Sequence, residues 1–292
     1  MTNRRDFLRT SSLIVAGGLL GSSALTASEL SAKAKKGIGL QLYSLRDAMK
    51  VDVPGTLKQV AEMGFTTLET ANYGEGKIYG MAPSEFKRAV KDLGMKMTSA
   101  HLGGPNYTKE TATQALDWWK KAIEDHVDAG VRYMVKPSMP KVKTLNELKM
   151  WCDFYNQIGE LTKASKILFG YHNHASEFEK LEGEIMYDFM LKNTDPKKVF
   201  FEMDVYWVMK GGYNAVDYMT KYPDRFPVLH IKDEKEIGES GLIDFKPIYE
   251  TAYKNRMEDS FVEVERYNFD PIVSVKKSYD YLNAAKYVRF VR

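Results

Sequence analysis

The segments ILFGYHNH (167–174), VFFEMDVY (199–206) and PVLHIK (227–232) share one pattern. Each is a short run rich in aromatic or β-branched residues that ends in polar side chains, and helical sequence follows it. This pattern is typical of buried strands. Continued along the chain, it predicts eight strands, at 37–43, 65–71, 95–101, 131–137, 167–174, 199–206, 227–232 and 260–265.

The segments between these strands carry helix signals. The predicted helices at 54–63 and 83–93 each begin with proline and are each followed by glycine. Proline suits the first turn of a helix, and glycine suits the position just after its last turn. Longer helices are predicted at 111–129, 145–164 and 270–282.

Strands and helices alternate without a Pro/Gly/Ser-rich linker, which predicts a parallel sheet because each parallel crossover needs a helix. Eight such units in about 255 residues match the size of a (β/α)8 barrel. The alternative is an open doubly wound sheet, but no G-x-G-x-x-G motif follows the first strand. We therefore predict an α/β fold, a (β/α)8 TIM barrel over residues 37–292.

The N-terminal residues 1–27 have the pattern of an export signal. The basic segment RRDFLR (4–9) precedes a run of small and apolar residues at 13–25, and the paired arginines are typical of the twin-arginine type. The alternative is a short membrane anchor, but the run is shorter than the ~18 apolar residues that span a bilayer. We expect export to the periplasm, a short linker at 28–36 and no stable membrane span after signal removal.

Composition excludes several classes of protein. The 292 residues are 44% hydrophobic and 28% charged, as in globular proteins. The single cysteine, Cys152, excludes a disulfide scaffold and a cysteine-rich zinc module. The formal charge is +3, part of it in the export signal, so no basic footprint for nucleic acid is expected. The sequence does not determine the oligomeric state, and it is compatible with a homo-oligomer.

Imidazoles and carboxylates gather at the predicted carboxyl ends of the strands, where a barrel holds its site. The residues concerned are His101, His172, His174 and His230, with Glu69, Glu202, Asp204, Glu263 and Glu265. Same-parity residues share a face of a strand, so these groups would surround one mouth. Mixed nitrogen and oxygen ligands suit Mn²⁺, Zn²⁺, Co²⁺ or Fe²⁺, whereas the metal-free alternative is a set of ion pairs.

Five ordered motifs carry a resemblance to a known family. They are GLQLY (39–43), YHNHASEF (171–178), MDVYW (203–207), LHIKD (229–233) and FVEVE (261–265). Together they resemble the xylose isomerase-like TIM-barrel superfamily, and within it the sugar phosphate isomerase/epimerase branch. The resemblance covers residues 37–285. It implies a small carbohydrate substrate and one divalent metal ion, which could be Mn, Zn, Co, Fe or Mg.

In that superfamily Glu, Asp, His and Glu from strands five to eight usually hold the metal. The resemblance assigns the last three ligands to Asp204, His230 and Glu263. At the first ligand this sequence departs, because strand five ends in histidines where the epimerases have glutamate. We expect His172 to replace it, with His174 as the next choice and Glu177 reaching in from the loop as a third.

The departure bears on the reaction. The family's epimerases remove and return a proton with two glutamates, through an enediolate. Here Glu263 remains one base, and the second proton-transfer group is His172, His174, Glu177 or Lys232. We predict a metal-dependent carbohydrate isomerase or epimerase acting on a keto-sugar. The alternatives are a 3-keto-glycoside lyase or hydratase on the same metal site, since an imidazole could protonate a leaving oxygen, and a non-catalytic sugar-binding barrel.

Further residues are expected to contact the sugar. They are His101, Glu177, Tyr43 and Trp207, although a buried histidine and aromatic barrel filling are the alternatives. Catalytic roles are predicted for Glu263, His174 and Lys232, where Lys232 would stabilise an oxyanion or pair with a carboxylate. We find no Gly-rich phosphate loop, so a neutral sugar is expected. The superfamily's DNA-repair endonuclease branch needs a basic groove and more histidines, which this chain lacks.

Overall fold

The computed structural model describes residues 35–290, and these contain a closed barrel of eight parallel strands. The strands are β1 (Gly39–Gln41), β2 (Thr67–Thr70), β3 (Lys96–His101), β4 (Tyr133–Lys136), β5 (Leu168–His172), β6 (Val199–Asp204), β7 (Val228–Lys232) and β8 (Asp259–Glu263). Each pairs in parallel with its sequence neighbours, and β1 closes the barrel against β8. The predicted TIM barrel is confirmed. The predicted export signal (1–27) and most of the predicted linker lie outside the described residues.

Helices surround the barrel. They are α1 (Arg46–Val51), α2 (Val53–Met63), α3 (Pro83–Asp92), α4 (Ala112–Ala129), α5 (Leu145–Lys163), α6 (Met186–Asn193), α7 (Val205–Lys210), α8 (Ala215–Lys221), α9 (Phe245–Lys254) and α10 (Pro271–Ala284). The five predicted helices correspond to α2, α3, α4, α5 and α10. Two antiparallel hairpins, one of them Tyr73–Gly74 with Lys77–Ile78, decorate the loops. None of the described helices is both long and apolar enough to cross a membrane.

Most predicted strands extend up to two residues beyond the observed ends, and two of these differences bear on the site. The prediction extended β6 through Tyr206, but the strand stops at Asp204 and α7 begins at Val205. Asp204 ends the strand because its Oδ1 accepts a hydrogen bond from the Trp207 N–H at 2.9 Å, which caps the helix. The prediction also extended β5 to His174, which lies in the loop beyond the strand.

The barrel lumen changes character along its axis. An apolar cluster fills its middle, formed by Tyr133, Val135, Phe200, Val228 and Phe261. A second, larger core lies between the strands and the helices. Because side chains alternate along a strand, Phe200 and Val228 face the lumen together with Glu202 and His230, two residues further along. The polar groups therefore sit on an apolar floor.

Candidate metal centre

A cavity of about 370 Å³ opens at the upper end of the barrel, where the carboxyl ends of the strands meet. Its wall includes Tyr43, His101, His172, His174, Glu263 and Glu265. Loops that follow the strands converge at this end, so a barrel presents its binding groups here. Five residues predicted to serve the site therefore line one cavity, together with Glu265.

Four buried side chains meet at the base of this cavity, one from each of four neighbouring strands. They are His172 on β5, Asp204 on β6, His230 on β7 and Glu263 on β8. One ligand atom of each lies within 4.8 Å of the others. The structure thus brings together the set that the sequence analysis assigned to the metal, with His172 rather than His174 as its fourth member.

The donor set fits a divalent cation. His172 Nε2 lies 4.0 Å from Asp204 Oδ2, and His230 Nδ1 lies 3.4 Å from Glu263 Oε2. Oδ2 of Asp204 is buried and has no hydrogen-bond partner within residues 35–290. Leaving such an oxygen buried is costly, and a cation bound by two imidazoles and two carboxylates would satisfy it.

The chain around Asp204 fixes this geometry. Asp204 Oδ1 is taken by the cap of α7, so only Oδ2 is free. Asn173 Oδ1 accepts hydrogen bonds from the Asp204 N–H at 3.1 Å and from the Tyr187 hydroxyl at 3.2 Å. Asn173, between the two histidines of β5 and its loop, therefore ties β5 to the end of β6. No role was predicted for Asn173 from the sequence.

A second group of acids lies directly below the four candidate ligands. Glu69 Oε2 is 2.6 Å from His230 Nε2, and Glu202 Oε2 is 2.6 Å from His101 Nε2 and 3.2 Å from His172 Nδ1. Both glutamates were predicted to lie at strand ends, but no role followed from the sequence. The sequence does indicate that Glu202 points to the same side as Asp204, because the two are two residues apart on one strand.

Burial and neighbouring charges shift the carboxylates in opposite directions. Burial raises the pKa of Asp204 to about 7. Burial and the neighbouring charge of Glu69 raise the pKa of Glu202 to about 7 as well. Burial also opposes ionisation of Glu69 and Glu263, but their cationic neighbours outweigh it. His101 and His230 hold the pKa of Glu69 at about 2, and Lys232 with His230 holds that of Glu263 well below its usual range. Glu69 and Glu263 are thus firmly ionised, whereas Asp204 and Glu202 resist ionisation.

The sequence agrees with a known family over most of its length. Residues 57–285 match the sequence profile of the family described as xylose isomerase-like TIM barrel. The chain belongs to the xylose isomerase-like TIM barrel family. This membership confirms the resemblance drawn from the five strand-end motifs.

Similar members of the family differ in the reactions they are named for. A sugar phosphate isomerase/epimerase from Parabacteroides distasonis ATCC 8503 is 40% identical, with a TM-score of 0.83 over 87% of this chain and 100% of that one. An inosose dehydratase from Geobacillus kaustophilus (strain HTA426) is 23% identical over 67% of this chain and 70% of that protein. The chain spans about half, 54%, of a further inosose dehydratase, from Clostridium beijerinckii (strain ATCC 51743 / NCIMB 8052), at 26% identity.

Within this xylose isomerase-like barrel, His174 and Glu177 take different places. The His174 ring lies 5.0 Å from that of His172 and 5.6 Å from that of Trp207, and its nitrogens have no hydrogen-bond partner among residues 35–290. Burial lowers the pKa of His174. Glu177 accepts from the Tyr171 hydroxyl at 2.6 Å and the His174 N–H at 2.9 Å. Its carboxylate is thus bound to β5 and to the backbone of its own loop, contrary to the expectation that it reaches the site.

Lys232 and the expected sugar-binding residues complete the site of this family member. Lys232 is buried behind the cavity wall, with its Nζ 3.0 Å from Glu263 and 2.7 Å from Glu265, so it contacts the carboxylates rather than the cavity. His101 and Tyr43 line the cavity. Trp207, on α7, contacts His174 and lies over Lys232 instead of forming the wall.

Proposed function

We propose that this chain is a metal-dependent lyase that eliminates a β-substituent from a keto-sugar or a cyclic keto-polyol. Three observations support elimination: the imidazoles on β5 and its loop, the position of Glu177, and the similarity to inosose dehydratases. Similar proteins are named as a sugar phosphate isomerase/epimerase and as inosose dehydratases, which supports an enzyme of this general kind.

The observation that carries the proposal is the missing second glutamate. Epimerisation by two carboxylates needs one on each face of the reacting carbon. Glu177 is bound to β5 and to its own loop, and Glu265 follows Glu263 by two residues and pairs with the same lysine. The cavity wall therefore offers His174 as a candidate proton-transfer group in addition to Glu263 and Glu265.

The residues fit a metal ion, and each has a distinct task. His172, Asp204, His230 and Glu263 would hold the ion. A bound divalent cation would polarise the keto group and so acidify the neighbouring C–H bond. Lys232 keeps Glu263 ionised through their 3.0 Å ion pair, and acts as a positioning residue.

We assign proton transfer to His174. Because burial lowers its pKa, the imidazole rests neutral and can take the proton from the carbon beside the keto group. The imidazolium so formed is a stronger acid than usual, and it gives the same proton to the leaving oxygen at the β-carbon. The C–H electron pair forms the new double bond and the C–O pair leaves as water or an alcohol, so protons and electrons balance.

The cavity favours a substrate without phosphate. Two glutamates lie on its wall, and no lysine or arginine of residues 35–290 is part of that wall. Negative walls repel a phosphate dianion. This agrees with the expectation of a neutral mono- or disaccharide, in a 3-keto form, as the substrate.

Epimerisation is the second candidate, favoured by the 40% identity to the Parabacteroides distasonis isomerase/epimerase. One experiment separates the two. The metal-loaded protein is incubated with keto-sugars and 3-keto-glycosides in D2O, and the products are followed by NMR. Elimination predicts an unsaturated ketone and a released alcohol or water. Deuterium incorporation with inversion, and no release, would establish the epimerase instead.

Variants locate the proton carrier. His174→Gln should stop product release while leaving metal content unchanged, because His174 is not among the four candidate ligands. His126→Gln is the matched control, since His126 lies buried in α4 with its Nδ1 2.7 Å from the Ala122 carbonyl. Normal turnover in His174→Gln, with loss in Glu263→Gln at retained metal, would assign the proton transfer to Glu263.

We also infer that residues 1–27 direct export to the periplasm by the twin-arginine route. The inference rests on the RRDFLR segment and the apolar run behind it. The double variant Arg4→Lys, Arg5→Lys should retain the protein in the cytoplasmic fraction, and unchanged periplasmic recovery would contradict the route.

A further inference from the structure

Each imidazole of the candidate metal centre lies between carboxylates above and below it. His230 faces Glu263 with its Nδ1, at 3.4 Å, and its Nε2 lies 2.6 Å from Glu69 and 3.2 Å from Glu202. His172 faces Asp204 with its Nε2, at 4.0 Å, and Glu202 with its Nδ1, at 3.2 Å. In both rings one nitrogen points up toward the ligand set and the other points down to an acid outside it.

We propose that Glu69 and Glu202 are positioning residues that hold His230 and His172 in the tautomers that bind the metal. Each lower carboxylate accepts the N–H of the downward nitrogen, so the upward nitrogen carries the lone pair. With the metal bound each of these imidazoles is neutral, with one N–H and one lone pair, and fixing the first fixes the second. The inference rests on the proposed metal site and names the residues that prepare it.

The lower carboxylates are themselves held in place. Glu69 accepts hydrogen bonds from Gln41 Nε2 and from the Ser99 hydroxyl, both at 2.6 Å. His101 Nε2 lies 2.6 Å from Glu202 Oε2 and 3.1 Å from Glu69 Oε2, so one ring bridges the two acids. This layer of Gln41, Glu69, Ser99, His101 and Glu202 is almost entirely buried. Such a layer leaves the ring orientations little freedom.

A second metal ion is the competing explanation of the lower layer. Donor atoms of His101, His172, Glu202 and His230 also lie within 4.8 Å of one another, and Glu202 Oε1 has no hydrogen-bond partner within residues 35–290. An ion there would take the downward nitrogens of His172 and His230. The same neutral rings cannot then donate lone pairs upward, so the two positions compete for the two imidazoles.

Charge favours the upper position. It offers two carboxylates, Asp204 and Glu263, which balance a divalent cation. The lower group of four offers one, and its His230 nitrogen is already 2.6 Å from Glu69. The lower layer is therefore better suited to orient ligands than to supply them.

The arrangement also explains the departure at β5. A histidine in place of a glutamate ligand removes one negative charge from the donor set and adds a ring that must be oriented. Glu202 lies beneath that histidine and supplies an acceptor for its N–H. Outer carboxylates that bind metal-ligating histidines in this way commonly raise the basicity of the ring as well as fixing its tautomer.

The test measures Co²⁺ binding to the full chain. Affinity is determined by competition with a chromophoric chelator, and the visible absorption spectrum of the Co²⁺ protein is recorded at saturation. Glu202→Gln and Glu69→Gln should each bind one Co²⁺ per chain, with affinity lower by about 10- to 100-fold and with shifted absorption bands. Glu202→Leu, which removes the acceptor altogether, should lose more affinity than Glu202→Gln.

The matched control is Asp259→Asn, which removes a buried carboxylate from the lower end of the same lumen, where it contacts threonines and no histidine. Its Co²⁺ affinity should stay within about threefold of the wild type, because distant sites act independently. Thermal unfolding of each metal-free variant shows whether it is folded, and the two glutamates provide independent variants should one fail.

The outcomes separate the two proposals. If the wild-type chain binds no divalent cation, the proposed metal-dependent function fails. If it binds one ion and both glutamine variants keep its affinity and spectrum, the function stands and the positioning roles are wrong. Two ions in the wild type, falling to one in Glu202→Gln, would make the lower layer a second metal site and would likewise overturn the inference.

Discussion

Buried acids at the two ends of the barrel lumen differ in how completely they are hydrogen-bonded. At the lower end, Asp259 accepts hydrogen bonds from Thr98 at 2.7 Å, Thr67 at 3.1 Å and the Ser260 N–H at 3.0 Å. At the upper end, Asp204 and Glu202 each keep a buried oxygen that has no partner within residues 35–290. Hydroxyl groups satisfy the lower acid, whereas imidazoles surround the upper ones.

The contrast separates a structural acid from a functional one. A buried acid that is fully hydrogen-bonded can be tolerated without any ligand. Acids with unpartnered oxygens are costly to the fold, and a site that keeps several of them beside imidazoles has the properties of a binding site. We therefore expect that replacing an upper acid lowers metal affinity without lowering stability. Replacing the lower acid should change stability without changing metal affinity.

Asp204→Asn should give the largest effect. It removes a ligand, so metal affinity should fall by more than the ~100-fold that loss of an outer partner can cause, and turnover should be lost with it. The metal-free variant should be at least as stable as the wild type, because burial raises the pKa of Asp204 to about 7 and the substitution removes that burden. Metal analysis and thermal unfolding measure the two quantities.

His230→Ala is the companion variant, which should lose the metal as completely. Full metal stoichiometry in both variants would contradict the ligand assignment. Loss of folding in the metal-free Asp204→Asn variant would contradict the contrast between the two ends.

Part of this site could be predicted from the sequence. The barrel followed from local alternation, and Asp204, His230 and Glu263 were placed by strand-end position and motif. The ring orientations that involve Glu69 and Glu202 were not predictable, because they depend on which nitrogen faces which strand in three dimensions. The loop that turns Glu177 toward Tyr171 is equally a product of packing. Asp259 drew no attention, since its partners Thr67 and Thr98 are distant in sequence.

Asp259→Asn should change the pH dependence of stability. Burial raises the pKa of Asp259 to about 6, above the usual ~3.9, so the folded state holds this proton more tightly than the unfolded state. Its stabilising contribution is therefore complete below about pH 4 and is lost as pH rises through 6, by up to about 3 kcal/mol. Urea unfolding of wild type and variant between pH 4.5 and 7.5 measures the difference.

Other groups titrate in both proteins, so the difference between the two curves isolates Asp259. The wild type should lose stability relative to the variant as pH rises, and metal affinity should be unaffected. Parallel curves would mean that the pKa of Asp259 is the same in the folded and unfolded states, and would contradict this prediction.

Gly170→Ala probes the apolar floor that separates the ends. Gly170 lies two residues before His172 on β5, and a Cβ there would meet the Phe200 ring at 2.5 Å. Overpacking of this kind costs about 1–3 kcal/mol. Gly74→Ala is the control, since a Cβ at Gly74 meets nothing within 4 Å and should change stability by less than about 0.5 kcal/mol. If Gly170→Ala lowers the unfolding free energy but leaves Co²⁺ affinity unchanged, a packing change in the apolar floor does not reach the metal ligands. A matching loss of affinity would show instead that packing at Phe200 is transmitted along β5 to His172.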